Sequence, residues 1–228
     1  MIKIIEKNSD FVVIYKPPGV PSQPDTSGDI DAMTCTANQL SELCDSDDLF
    51  LVHRLDRVVG GIMVFARKKD AAAVLCDCFS SGVAVKEYFA IVEGVPKEKD
   101  GVFVDFIIKD PILNRAIVRK DNGRGAKRAE LSYSVIDTKN INEKDISLIK
   151  VSLKTGRFHQ IRAQFSSRGM ALVGDGKYGS KDSKTRFPSL FAYRISFNFN
   201  GKTENFSILP NITEYPWSVF DFKNSEWL

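Results

Sequence analysis

From Glu87 to Leu153 the chain runs through one β-rich segment after another, with no helical stretch between them. The segments are 87–92, 102–108, 116–119, 131–137 and 147–153. Elsewhere only two or three stretches have helical character. Long strand runs with so few helices specify an α+β fold and argue against an alternating βαβ array.

The flanking segments fit that reading. Residues 11–16 (FVVIYK) are β-rich and stop at Pro17, Pro18 and Gly19, a strand entering a turn. Residues 21–31 form a polar loop, 34–43 a short helix ended by Asp45, Asp47 and Asp48, and 62–66 (IMVFA) a buried strand. The alanine-rich stretch 70–79 is helical, with Gly82 as its stop. Residues 159–168 read as a third helix, with Ile161 and Phe165 four apart on one face. Two last strands, 189–199 and 205–209, flank a turn at Gly201. No repeat or linker interrupts the pattern, so the expectation is one compact catalytic domain over residues 1–228.

At 43% hydrophobic and 27% charged residues, the composition supplies a core. No signal peptide or bilayer-length apolar run is visible, which gives a cytoplasmic expectation and no membrane partner. Cys35, Cys44, Cys76 and Cys78 lack the spacing of a zinc site and read as free core thiols. The net charge of +3 says little about nucleic acid, but its distribution says more. Arg115, Arg119, Lys120, Arg124, Lys127 and Arg128 are opposed by Asp121 alone, and Lys177, Lys181, Lys184 and Arg186 form a second group. Such clusters can track a phosphate backbone, although each taken singly also fits a solvated basic face.

Two stretches carry chemistry. In His53-Arg54-Leu55-Asp56-Arg57, a carboxylate between two arginines is expected to stay ionised, as a nucleophile requires. By itself the pentapeptide more commonly marks a surface salt-bridge cluster. In Lys154-Thr155-Gly156-Arg157-Phe158-His159-Gln160-Ile161-Arg162, a glycine turn leads into a helix whose His159 and Arg162 share a face. His159 alone is more commonly a structural hydrogen-bonding residue than a catalyst.

Together these stretches resemble the RluA-type family of RNA pseudouridine synthases. LVHRLDRVVGGIMVFARK is similar to that family's aspartate motif, and NSDFVVIYKPPGVPSQPD to its first strand and Lys-Pro-x-Gly turn. KEYFAIVEG resembles its Lys-x-Tyr strand, and LKTGRFHQIRAQFSSRGMALVGDGKYG its arginine helix and following Gly-Asp-x-x-Tyr-Gly segment. The four motifs stand in the family's order over roughly residues 10 to 180. The resemblance implies a pseudouridine-synthase-like domain, a mostly antiparallel mixed sheet flanked by a few helices and loops, expected here without the separate N-terminal RNA-binding domain that many relatives carry. It implies Asp56 as nucleophile at the ribose anomeric carbon, Arg162 paired with Asp56, and Tyr88 against the flipped base. Arg54 fills the gap left by the extruded uridine. His53, Arg57, Arg157, His159 and Gln160 are implied substrate-binding residues. Leu55 and Ile161 are left as packing residues, and the Gly174-Asp175-x-x-Tyr178-Gly179 turn is assigned no chemistry. No cofactor or metal is implied, and the expected partner is ribosomal or transfer RNA, bound by a monomer.

Three departures stand out. Val59-Gly60-Gly61 replaces Thr-Ser-Gly, Tyr15 replaces asparagine, and Ala163-Gln164 stands where Val-His is common. The altered turn leaves room for a catalytically silent RNA-binding protein on the same scaffold. A hydrolase with an aspartyl nucleophile would need a second carboxylate or a metal cluster at defined spacing, and none lies near Asp56.

Overall fold

The computed structural model describes residues 1–43 and 48–222. The expectations for Cys44, Asp45 and Asp47 fall outside the described residues. The chain divides into two compact units, Met1–Val85 with Ala192–Ile208, and Lys86–Phe191 with Leu209–Leu228.

The first unit is built on antiparallel pairing of β1 (Lys3–Lys7) with β2 (Phe11–Lys16) and of β2 with β4 (Gly60–Ala66). The two-residue β3 (Phe50–Leu51) pairs with the far end of β4. The returning chain adds β10 (Leu190–Phe199) beside β4, and β10 forms a hairpin with β11 (Lys202–Ser207). Every residue of β4 is buried, which explains its uninterrupted apolar run. Helix α1 (Ala32–Glu42) starts where Asp31 accepts the Thr34 amide proton at 3.0 Å, and it turns Ala32, Thr36 and Leu40 inward. Helix α2 (Lys69–Ser81) ends at Gly82, whose φ of 78° suits a residue without Cβ. Ala71, Leu75 and Phe79 of α2 join Phe11, Val13, Val64, Ile195 and Phe197 in the core. Phe11 is edge-on to Phe197 and Phe199 at 5.4 and 5.6 Å between ring centres, a preferred aromatic arrangement.

The second unit is a five-stranded antiparallel sheet in the order β5-β9-β8-β6-β7. These strands are β5 (Val85–Glu93), β6 (Asp100–Asp110), β7 (Arg115–Arg119), β8 (Lys127–Ile141) and β9 (Lys144–Leu153). One face, carrying Phe103, Ile107, Ala129, Leu131 and Val151, is buried. Helix α3 (Gln160–Ser166) contributes Ile161, Ala163 and Phe165 to this unit's buried residues, and Phe165 is edge-on to Phe103 at 5.1 Å.

Three expectations need correction. The helix expected over 159–168 is shorter: His159 is its left-handed N-cap, with φ of 51°, and Arg168 leaves the helix to bind Asp105 at 3.0 Å. Cys76 is exposed and Cys35 and Cys78 are only half-buried, so these thiols are not core residues. Strand β1 went unread because only Ile4 and Ile5 are apolar in KIIEK, and that edge strand buries little. No helix among the described residues is long and apolar enough to cross a membrane.

Candidate active site

Asp56 lies half-buried in the loop between β3 and β4. Its neighbours on both sides are pinned by the segment that follows β2. Ser22 Oγ donates to the Leu55 carbonyl at 2.7 Å and accepts the Leu55 amide proton at 3.2 Å. On the other side the Arg57 carbonyl accepts from the Gly19 amide at 2.8 Å and from Lys16 Nζ at 3.2 Å. Lys16 is wholly buried, and Nζ also donates to the Pro17 and Val20 carbonyls at 3.2 and 2.8 Å. Three carbonyl acceptors match the three donors of an ammonium. Burial nevertheless pushes the Lys16 pKa down to about 7, opposed by the negative charge of Asp56.

The two arginines that flank Asp56 have different surroundings. Arg57 binds the Asp29 carboxylate and donates Nε to the Gly19 carbonyl at 3.0 Å. Arg54 is exposed and makes no ion pair among the described residues, so it is available to an outside group. His53 accepts the Val64 amide proton at Nε2, 3.0 Å away, and stacks on Phe79 with ring centres 4.4 Å apart. Its ring thereby anchors the loop to β4 and α2. Leu55 is 5% exposed and packs, as expected.

In the second unit Tyr88 sits on β5 opposite Val151, 8% exposed. Lys86, two residues earlier and so on the same side of the strand, has its pKa lowered by burial. Arg162 is buried on α3 and grips Asp175 with two parallel bonds, Nε to Oδ2 at 2.6 Å and Nη2 to Oδ1 at 2.8 Å. The guanidinium also lies over the Tyr178 ring, 4.9 Å from its centre. The Gly-Asp-x-x-Tyr-Gly turn, assigned no chemistry from the sequence, therefore orients the helix arginine. Gln160 is consumed locally: its Oε1 accepts from Thr155 Oγ1 at 2.8 Å and the Arg157 amide at 3.0 Å, while Nε2 donates to the Glu130 carbonyl. Arg157 is exposed, with Nε bound to the Arg128 carbonyl at 2.9 Å.

His159 Nδ1 lies 2.9 Å from the Tyr178 hydroxyl, which already accepts the Ala116 amide proton at 2.6 Å. A neutral imidazole with its hydrogen on Nε2 can accept the hydroxyl proton at Nδ1, and the other neutral tautomer can donate to the hydroxyl oxygen. Burial, reinforced by Arg162, Lys177 and Lys109, pushes the His159 pKa down from 6.5 to about 3. Between those values the unfolded chain binds a proton that the folded chain refuses, so this residue makes stability fall as pH drops through the window. His159→Gln is expected to flatten the decline of the urea midpoint below about pH 6.5. A decline as steep as the parent's would mean that the ring is charged in the folded protein.

Comparison with known proteins adds to this geometry. The family model for RNA pseudouridylate synthase matches residues 10–167. The chain belongs to the RNA pseudouridylate synthase family. An uncharacterised RNA pseudouridine synthase of Aquifex aeolicus (strain VF5) is 31% identical over 99% of this chain and 70% of its own length. Ribosomal large subunit pseudouridine synthase D of Zymomonas mobilis is 33% identical over 78% of this chain and 56% of its own, in keeping with the RluA-type motifs. Among solved structures, human RNA pseudouridylate synthase domain containing 4 superposes with a TM-score of 0.74 at 25% identity, covering 92% of this chain and 89% of that one.

Membership makes the altered turn worth explaining. A Cβ on Gly61, whose φ is 133°, would fall 2.3 Å from the Ala192 carbonyl oxygen, so this glycine is obligatory. A Cβ on Gly60 would sit 3.0 Å from Cδ of Pro18, so the family's serine would crowd the second proline of this chain's turn. Loss of that hydroxyl follows from packing against Pro18. The basic clusters are also better defined. Arg119 meets Asp121 at 3.4 Å, and Arg128 meets Glu130 at 2.5 Å, a carboxylate that sequence counting had omitted. In the second cluster Lys177 donates to the Asn114 carbonyl at 3.2 Å, and Lys184 lies over the Tyr215 ring.

Proposed function

We propose that this chain isomerises specific uridines of structured RNA, ribosomal or transfer, in the cytoplasm, with Asp56 as nucleophile. The observation that carries the reading is the fixing of Leu55 and Arg57 on either side of Asp56, which presents one carboxylate from an immobilised loop. In the reaction, an Asp56 oxygen forms a bond to the anomeric carbon as the carbon–N1 bond breaks. The electron pair leaves with the uracil. The released base turns and its carbon-5 bonds to the anomeric carbon as the bond to Asp56 breaks, which restores the carboxylate; the carbon-5 proton is then removed and N1 gains one.

Tyr88 stacks against the base and assists removal of that proton. Arg162, aimed by Asp175, supplies positive charge to the same nucleotide. Arg54, exposed and unpaired among the described residues, occupies the gap in the RNA. Arg57, Arg157 and His159 add contacts to the substrate, while His53 and Gln160 act by holding the loops that bear the others. Both units serve one catalytic domain, which works as a monomer without metal or cofactor. A silent RNA-binding role loses its motive, since the altered turn has a steric cause in Pro18.

The test is chemical mapping of pseudouridines in ribosomal and transfer RNA from cells lacking this gene, before and after incubation with the purified protein. New pseudouridines at defined positions in one RNA class are expected. Unchanged maps in both classes would refute the activity.

A further inference from the structure

We infer that the outward face of β6, β7 and β8 is a stacking platform for RNA beyond the target nucleotide, with Phe106 taking a base and Arg119 and Arg128 taking its phosphates. This rests on the chain acting on RNA. Register supplies the geometry: Phe106 pairs with Arg119 on one side and with Arg128 on the other. Cross-strand partners share a face, so Phe106 is flanked on that face by an arginine of each neighbouring strand. Val104 pairs with Glu130 and Ile108 with Ile117, which places Val104, Ile108 and Ile117 around the ring on that face.

The opposite face of these strands is the buried one, holding Phe103, Ile107, Ala116 and Ala129. The outward face is open: Val102 is 60% exposed, Val104 48% and Ile117 38%. Toward β5 the same face is closed, because Phe89 packs edge-on to Phe222 at 5.5 Å. Only the β6–β8 portion is left as an apolar patch, and contiguous patches of this kind mark interaction sites.

Charge identifies the occupant. The arginine side chains at the rim are 48% and 52% exposed, and each touches a carboxylate along one edge only. Such exposed ion pairs contribute little and yield to a phosphate. A second copy of the chain, docked face to face across a two-fold axis, would instead bring these arginines against their own counterparts. An aromatic ring set among cations on an open sheet is how single-stranded RNA is gripped without sequence preference.

The experiment measures affinity for a fluorescent single-stranded RNA of about twelve mixed-sequence nucleotides, chosen to span several stacking positions. Phe106→Ala and Phe106→Leu are each expected to weaken binding roughly five- to tenfold, whereas Phe106→Tyr keeps it. Arg119→Gln combined with Arg128→Gln should weaken it further and reduce the salt dependence by about two phosphate contacts. Parent-like affinity in Phe106→Leu overturns the platform, as does a parent that sediments as a dimer and is made monomeric by Val104→Asp. If Asp56→Asn abolishes pseudouridine formation while Phe106→Leu binds as the parent does, the platform alone fails. A parent that neither binds RNA nor forms pseudouridine removes the enzymatic reading as well.

Discussion

Asp56→Asn is expected to abolish pseudouridine formation, leaving turnover below roughly one part in ten thousand of the parent's. The substitution is nearly isosteric and removes the negative charge that forms the bond to the sugar. It should not disturb the fold, because the loop is fixed through the backbone of Leu55 and Arg57, whose partners Ser22, Gly19 and Lys16 remain. RNA binding should survive too, since the contacts that capture RNA belong to other side chains. Single-turnover assays on the mapped RNA, run beside a urea titration, separate these effects. A folded Asp56→Asn protein that still converts uridine at an appreciable rate would end the nucleophile assignment.

The largest effect on stability is expected at Asp175. Its carboxylate is 1% exposed and takes both bonds from Arg162, itself only 5% exposed in its side chain. Asp175→Ala strips two charge-assisted bonds from a buried guanidinium and is expected to cost about 3 to 5 kcal/mol. The double replacement Arg162→Met with Asp175→Leu removes both charges and should recover most of that loss, although activity stays absent. Arg162→Lys tests a different property. A lysine keeps the charge but cannot reproduce the paired bonds, so turnover should fall further than the urea midpoint does. If Asp175→Ala unfolds at the parent's urea concentration, the pair contributes nothing and Arg162 is held by other means.

Much of the fold was legible because its signals are local. FVVIYK ends at a proline pair, IMVFA is buried on all sides, and Gly82 and Gly201 stand where helix and hairpin require turns. Each depends on residues a few positions apart. KIIEK was passed over because an edge strand with mostly exposed residues has no burial pattern to read. The end of the helix after Gly156 is not legible, because the ion pair that draws Arg168 to Asp105 joins residues 63 positions apart. The candidate residues were legible through the family motifs, but their partners were not. Nothing in the sequence links Ser22 to Leu55, Lys16 to Arg57, or Asp175 to Arg162. Each pair meets across 13 to 41 positions through a loop whose path is set by packing. Nor does the sequence show that Arg57 binds the carboxylate of Asp29, 28 positions away.

The lysine beneath the Asp56 loop has a consequence for the cost of reaction. Because Lys16 holds three carbonyls at once, the strand end, the proline turn and the Arg57 backbone form a single mechanical piece. Thermal wandering of the loop would have to break several charge-assisted bonds together, since partial motion relieves none of them. The position of the Asp56 carboxylate is therefore inherited from β2, whose first four residues are completely enclosed, and not from the flexible torsions on either side of it. The ordering entropy was surrendered when the protein folded. When a uridine arrives, no reorganisation of the carboxylate's support remains to be added to the barrier.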